Sequence, residues 1–192
     1  MASGRVSRAF ILAVVCLVPV LGLAQTGAST GARHSSDWRA RLDHELPLLG
    51  HRNWIAVVDS AYPLQTSVGI ETIETNGDQL EVVKTVLDRL AQAKHVRPVI
   101  FTDAELKLVP ESDAKGVTAY REALTKLLGK TGAQPLLHEE IISKLDEAGK
   151  TFHILVLKTR LTIPYTSVFI RLDCGYWSDD AEKRLREAMA TH

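Results

Sequence analysis

The sequence predicts an α/β sandwich, and three observations carry that reading. Residues 54–58 (Trp54-Ile55-Ala56-Val57-Val58) form an apolar, partly β-branched run between a Gly50-His51 turn and an Asp59-Ser60-Ala61-Tyr62-Pro63 loop. A short run of this kind bounded by turn residues reads as a buried strand. Residues 79–94 place Leu80, Val83, Val86, Leu87 and Leu90 at i, i+3, i+4 spacing, the stripe of an amphipathic helix. Strand-like and helix-like segments then alternate to the end of the chain, the order that builds helices onto a sheet.

Taken in order, residues 37–49 have helical spacing through Trp38, Leu42, Leu46 and Leu49, with Ser36 or Asp37 as cap and Pro47 disturbing the end. The strand at 54–58 follows, then an alternating strand over 68–75. Asn76-Gly77-Asp78 makes a turn and a cap for the 79–94 helix. Residues 96–101 read as a strand that Thr102-Asp103 turns into a short helix containing Leu106. Helices are expected over 120–128, ending at Gly129, and over 139–148, stopped by Gly149. Strands follow at 152–157 and 166–172, and a charged surface helix at 179–189 closes the chain.

With 192 residues and 45% hydrophobic content, the chain suits one domain. Its formal net charge is zero, so no nucleic-acid partner is expected. Residues 1–24 read as a cleaved export signal: Arg5 and Arg8, an apolar run from Ala9 to Leu21, then Gly22-Leu23-Ala24 before Gln25. The run is short for a membrane span and contains Pro19, so no membrane association is expected after cleavage, and the compartment is periplasmic or extracellular. Residues 25–36, rich in Gly, Ser and Thr, read as a flexible lead to a single domain over 37–192. Cleavage removes Cys16 and leaves Cys174, so no internal disulfide is expected. Cys174 reads as a buried small hydrophobe, with a bridge between subunits as the alternative.

Two motifs carry a family likeness. Leu49-Gly50-His51, two polar residues, an apolar strand and then Asp59-x-x-Tyr62-Pro63 resembles the opening motif of the D-ribose pyranase and L-fucose mutarotase family. The segment from Phe152, with an apolar strand, a polar turn, Tyr165 opening a last strand and Gly175 near its end, resembles that family's C-terminal signature. The resemblance implies a three-layer α/β/α sandwich and an isomerase acting on a free monosaccharide without cofactor or metal. It also implies a homo-oligomer, in the family a ring with sites at subunit boundaries. By resemblance, His51 is the acid/base, Asp59 binds sugar and orients the histidine, and Tyr165 is the hydroxyl partner. Ser167 and His138 are the further substrate-binding candidates.

Those residue types suit the chemistry. Ring opening of a reducing sugar needs a base for the anomeric hydroxyl and an acid for the ring oxygen, and histidine exchanges protons near neutral pH. Three departures bear on substrate identity and on turnover. Ser167 stands where the family has asparagine, the turn before Tyr165 is about two residues longer, and the family's polar helix contacts fall on Ile141 and Leu145. The second reading is therefore a sugar-binding or assembly protein of the same fold without turnover, and a third is an unrelated secreted α/β protein. Structural roles stand beside each functional one: His51 as a helix cap, Asp59 as a strand-end cap, Tyr165 as a core aromatic. His51 and Asp59 lie about 25 Å apart along an extended strand at roughly 3.3 Å per residue. They share a site only if the chain folds back at Gly50-His51 or another subunit supplies one of them.

Other constellations are weak. Seven histidines occur, but no HxxxH, HExxH or CxxC spacing, so no metal site is expected. No GxSxG, phosphate loop or GxGxxG occurs. His95 is expected to end a helix and His153 to serve structure. Trp54 and Trp177 are expected in the core, with sugar stacking as the alternative.

Overall fold

Asp37 opens the first helix by accepting a hydrogen bond from the Arg39 backbone N–H at 3.1 Å. In this computed structural model, which describes Met1 and residues 37–191, helix α1 spans Trp38–Glu45. Pro47 converts its end into a 3₁₀ turn, Leu46–Leu48. The expected export signal and flexible lead lie, apart from Met1, outside the described residues. The chain continues as β1 (Trp54–Val58), β2 (Ile70–Glu74), α2 (Gln79–Gln92), β3 (Val96–Asp103) and a 3₁₀ turn, Ala104–Leu108. Then come α3 (Val117–Leu128), β4 (Gln134–Leu136), α4 (His138–Ala148), β5 (Ile154–Lys158), β6 (Val168–Cys174) and α5 (Asp179–Ala190).

The six strands form one sheet in the order β2-β5-β1-β6-β3-β4. β2, β5 and β1 pair in parallel, as do β3 and β4, while β6 is antiparallel to both of its neighbours. Five strands therefore run one way and β6 alone runs back. The C-terminal ends of β1, β3, β4 and β5 and the start of β6 share one edge of the sheet.

Strand alternation sorts the core into two clusters and makes the expected three-layer α/β/α sandwich. Ile55, Val57, Leu155, Leu157 and Ile170 face α1, α2 and α3. Trp54, Ala56, Val58, Val156 and Phe169 face α4, which covers them with Ile141 and Leu145. All five β1 residues are buried, as a central strand covered on both faces requires. Gly175 fits a close backbone approach, since a Cβ there would lie 2.5 Å from the Lys94 carbonyl oxygen and 2.8 Å from the Val96 nitrogen.

Several expectations change. β4 has only three residues, one of them Pro135, and no apolar alternation marks it in the sequence. α3 starts at Val117, a turn earlier than its spacing predicts, because the Glu111 carboxylate accepts the Gly116 and Thr118 backbone N–H groups and so caps it from outside. His95 lies beyond the end of α2, and its Nε2 faces the Leu46 and Leu49 carbonyls at 3.3 and 3.1 Å, tying down the end of the first helical segment. Trp54 is buried as expected, but Trp177 is 44% exposed and donates from Nε1 to Glu182. Cys174 is free and half-buried.

Candidate functional site

Loops at the carboxyl ends of strands are where α/β sheets gather ligands, because the strand geometry converges their side chains there. Asp59 follows β1, Asp103 ends β3, His138 follows β4 and Tyr165 precedes β6, so the topology brings all four to one sheet edge. Asp59, Tyr62, Gln65, His138, Glu139 and Tyr165 line a cleft of about 340 Å³ there.

The loop after β1 is pinned at several points. The Asp59 carboxylate accepts from the Ala61 backbone N–H at 2.8 Å, and Lys158 donates to the Tyr62 carbonyl at 2.7 Å. The Tyr62 hydroxyl donates to Gln65 at 3.0 Å, and Gln65 donates to Asp146 on α4 at 3.0 Å. Burial, with Asp146 and Asp103 adding negative charge, pushes the Tyr62 phenol up to about 12, so it serves the cleft as a neutral hydroxyl.

His138 stands at the first turn of α4. Its backbone N–H donates to both Glu105 carboxylate oxygens at 3.1 Å, so Glu105 caps a helix that has no side-chain cap of its own. The imidazole Nδ1 lies 3.1 Å from the Asp103 carboxylate, whose side chain is wholly buried while that of His138 is 32% exposed. The other Asp103 oxygen, Oδ2, is buried without a hydrogen-bond partner among the described residues. Burial raises the Asp103 carboxyl above its usual range, against the opposing pull of His138. The imidazole meets the Tyr165 ring edge-on, with centroids 5.7 Å apart.

Tyr165 is 39% exposed and holds a left-handed backbone at φ 59°, which settles against a core-aromatic role. A non-glycine residue there carries a cost of order 1–3 kcal/mol that the surroundings must offset. Thr166 supplies the support: its hydroxyl donates to the Ile163 carbonyl at 2.7 Å. Its own carbonyl accepts from the Tyr120 hydroxyl and from Gln79 Nε2, both at 2.7 Å. Gln79, 1% exposed, also accepts from the Thr159 hydroxyl at 2.6 Å. Gln79, Val82, Val83 and Val86 share the buried helix face, so the helical period itself marks Gln79 as an inward polar residue.

The other sequence candidates lie elsewhere. His51 precedes β1 at the opposite edge, is 56% exposed in its side chain and has Nδ1 3.3 Å from Asp173 at the end of β6. One chain therefore does not bring His51 to Asp59, Tyr165 and His138. Ser167 is 2% exposed and does not line the cleft, and Ile141 and Leu145 are fully buried beneath it. Asp103 and Glu105, read in the sequence as a turn and a short helix, are the residues that hold His138.

A second cavity, of about 330 Å³, lies between α3 and the end of β3, lined by Asp103, Leu106, Leu124 and Leu128. Its Arg121 guanidinium is bound by the Leu106 and Val109 carbonyls at 3.1 and 2.7 Å. Among the described residues, Glu45, Glu71 and His153 bring three potential metal-ligand atoms within 4.8 Å of one another. Arg41 already occupies that cluster, 3.2 Å from Glu45 and 3.0 Å from Glu71, so the carboxylates there have a built-in counter-charge.

No protein-family model and no curated protein matches the chain. Among solved structures it is similar to Bacillus subtilis RbsD complexed with D-ribose, at 20% identity, over 72% of this chain and 94% of that one, with a TM-score of 0.49. It is also similar to the fucose mutarotase in complex with L-fucose from Streptococcus pneumoniae, at 16% identity over 68% and 89% of the two chains and a TM-score of 0.43. FucU from Bifidobacterium longum is similar at 13% identity over 69% and 92%, with a TM-score of 0.46.

Proposed function

We propose that the cleft binds a free monosaccharide and interconverts its ring or anomeric forms by acid/base ring opening. The observation that carries the reading is the convergence of Asp59, His138 and Tyr165 on one cleft, with the imidazole backed by a buried carboxylate. Carboxylate, amide and phenol groups of this kind match the hydroxyls of a sugar. The base removes the proton of the anomeric hydroxyl, the C–O bond to the ring oxygen breaks as the carbonyl forms, and the ring oxygen takes up a proton. His138 is the proton-exchanging group in the cleft, Asp59 binds hydroxyls, and Tyr165 relays to the ring oxygen. Neither redox nor Lewis-acid chemistry is required by this reaction.

His51 enters the same proposal through assembly. It lies at the far edge of the sheet, so it acts only on the cleft of another copy, in a homo-oligomer that shares sites between subunits. Exposed Leu64, Leu137 and Tyr165 at the cleft edge are apolar surface that a second copy would cover. The second reading, a sugar binder without turnover, is favoured by the apolar, buried Ile141 and Leu145.

Saturation-transfer NMR with D-ribose, L-fucose and D-galactose separates the readings. Exchange between ring forms faster than in buffer is expected. Line broadening without added exchange would support the binder, and neither effect with any of the sugars would remove the proposal. Sedimentation velocity at micromolar concentration is expected to show an oligomer, and a monomer that still catalyses exchange would contradict the shared site.

A further inference from the structure

We propose that Asp103 is a positioning residue that holds the His138 imidazole with its proton on Nδ1, leaving Nε2 as the basic nitrogen for the cleft. The proposal rests on the reading of the cleft as an acid/base site, but its tautomer can be measured with no sugar present.

The argument starts from the cost of the group. Asp103 is 3% exposed, and among the described residues its carboxylate meets one hydrogen-bonding partner, the His138 Nδ1 at 3.1 Å. Oδ2 is buried with no hydrogen-bond partner among the described residues. A buried carboxylate so poorly satisfied opposes folding more than a neutral amide or an apolar side chain of similar size would. Costly buried charges of this kind cluster where proton chemistry is done. The groups facing it from the surrounding elements are Glu105 from the 3₁₀ turn and Asp59 from the loop after β1, both of which push its carboxyl further up, and His138 from α4, which pulls it down.

The geometry then fixes the proton. With Asp103 ionised, its carboxylate only accepts, so the 3.1 Å contact places a proton on Nδ1. In a neutral imidazole that leaves the lone pair on Nε2, on the opposite side of the ring. When Nε2 takes the proton of the anomeric hydroxyl, the imidazolium forms against the Asp103 carboxylate as an ion pair. The proton then returns to the sugar, and the ring and Asp103 are as they began. In hydrolytic triads a buried carboxylate serves its histidine in this way, and the amide variant leaves the geometry intact with the wrong tautomer. Glu105 contributes differently, by anchoring the His138 backbone at the start of α4.

The test is imidazole nitrogen NMR on the whole chain, with the wild type and Asp103→Asn compared at a pH where the ring is neutral. The wild type is expected to show Nδ1 protonated and Nε2 unprotonated. Asp103→Asn is expected to shift the population toward the Nε2–H tautomer. If the function is as proposed, kcat for ring-form exchange falls about 10²-fold or more, with KM within about threefold. The stability readout has the opposite sign. A carboxyl whose folded pKa is raised gives stability that is present below its unfolded pKa and lost as pH rises through the folded one. Asp103→Asn escapes that loss, so it should melt no lower than wild type at pH 7, and the difference should shrink toward pH 4. A wild-type ring protonated on Nε2 overturns the proposal whether or not the variant folds. So does an Asp103→Asn ring that keeps the wild-type tautomer. Wild-type protein with the expected tautomer but no exchange of any sugar would instead overturn the function and leave the pairing standing.

Discussion

His138→Ala is expected to lower the rate of ring-form exchange by about 10²–10⁴, the usual contribution of a positioned acid/base group. The side chain is one-third exposed and sits at the first turn of α4, so its removal leaves the buried Ile141–Leu145 face of the helix intact. Removing the imidazole leaves the buried Asp103 carboxylate without its partner, so the melting temperature should fall, and circular dichroism checks that the fold is kept. His51→Ala gives the informative contrast, because His51 lies at the other edge of the sheet beside Asp173. In an assembly with shared sites it too should lose exchange while keeping its sedimentation coefficient. Mixing the two inactive variants under conditions that allow subunits to exchange should then restore part of the activity, since a cleft with its own His138 can meet a neighbour's His51. Full activity of His51→Ala alone would show that the cleft is complete within one chain.

The largest stability effect is expected at Phe169. Its side chain is fully buried in β6, where its Cα pairs with Ala56 on one side and Phe101 on the other. The small Ala56 leaves room that the ring fills, and Trp54, Ile141 and Leu145 belong to the same cluster. Phe169→Ala should cost about 3–5 kcal/mol, the transfer loss plus an unfilled cavity. Domains are stable by about 5–15 kcal/mol, so this is a large share. The urea midpoint should fall accordingly, and the melting temperature by roughly 10 °C or more. Phe169→Leu keeps most of the volume and should cost about 1 kcal/mol. Equal losses for the two variants would mean that the site does not depend on ring volume.

The fold was legible wherever a period or a cap wrote it into the chain. Trp54–Val58 reads as a buried strand because β1 is covered on both faces, and Gln79–Gln92 reads as a helix because its stripe meets the sheet on one side only. β4 was not legible, since three residues including a proline are held by pairing with β3 rather than by any local pattern. The site was half legible. Asp59, His138 and Tyr165 stand out as polar residues in strand-end loops, and the sheet collects them. His51 was joined to Asp59 by a motif that is contiguous in sequence, whereas an extended strand separates its ends in space. Asp103 looked like a turn residue because nothing local shows that β3 runs to its position and buries it. Gln79 was hidden by the apolar residues around it, although its phase on α2 placed it inward.

Chemical-shift mapping of the isotope-labelled chain, titrated with D-ribose and L-fucose, tests most directly the claim that the sugar site is the cleft at the carboxyl ends of β1 and β4. The account predicts that perturbed amides cluster at Asp59, Ala61, Tyr62 and Gln65, at His138 and Glu139, and at Tyr165 and Thr166, with the His138 ring signals moving too. Perturbations confined to the α1–β2 cleft around Arg41 and Glu71, or to the cavity around Leu124 and Leu128, would contradict it.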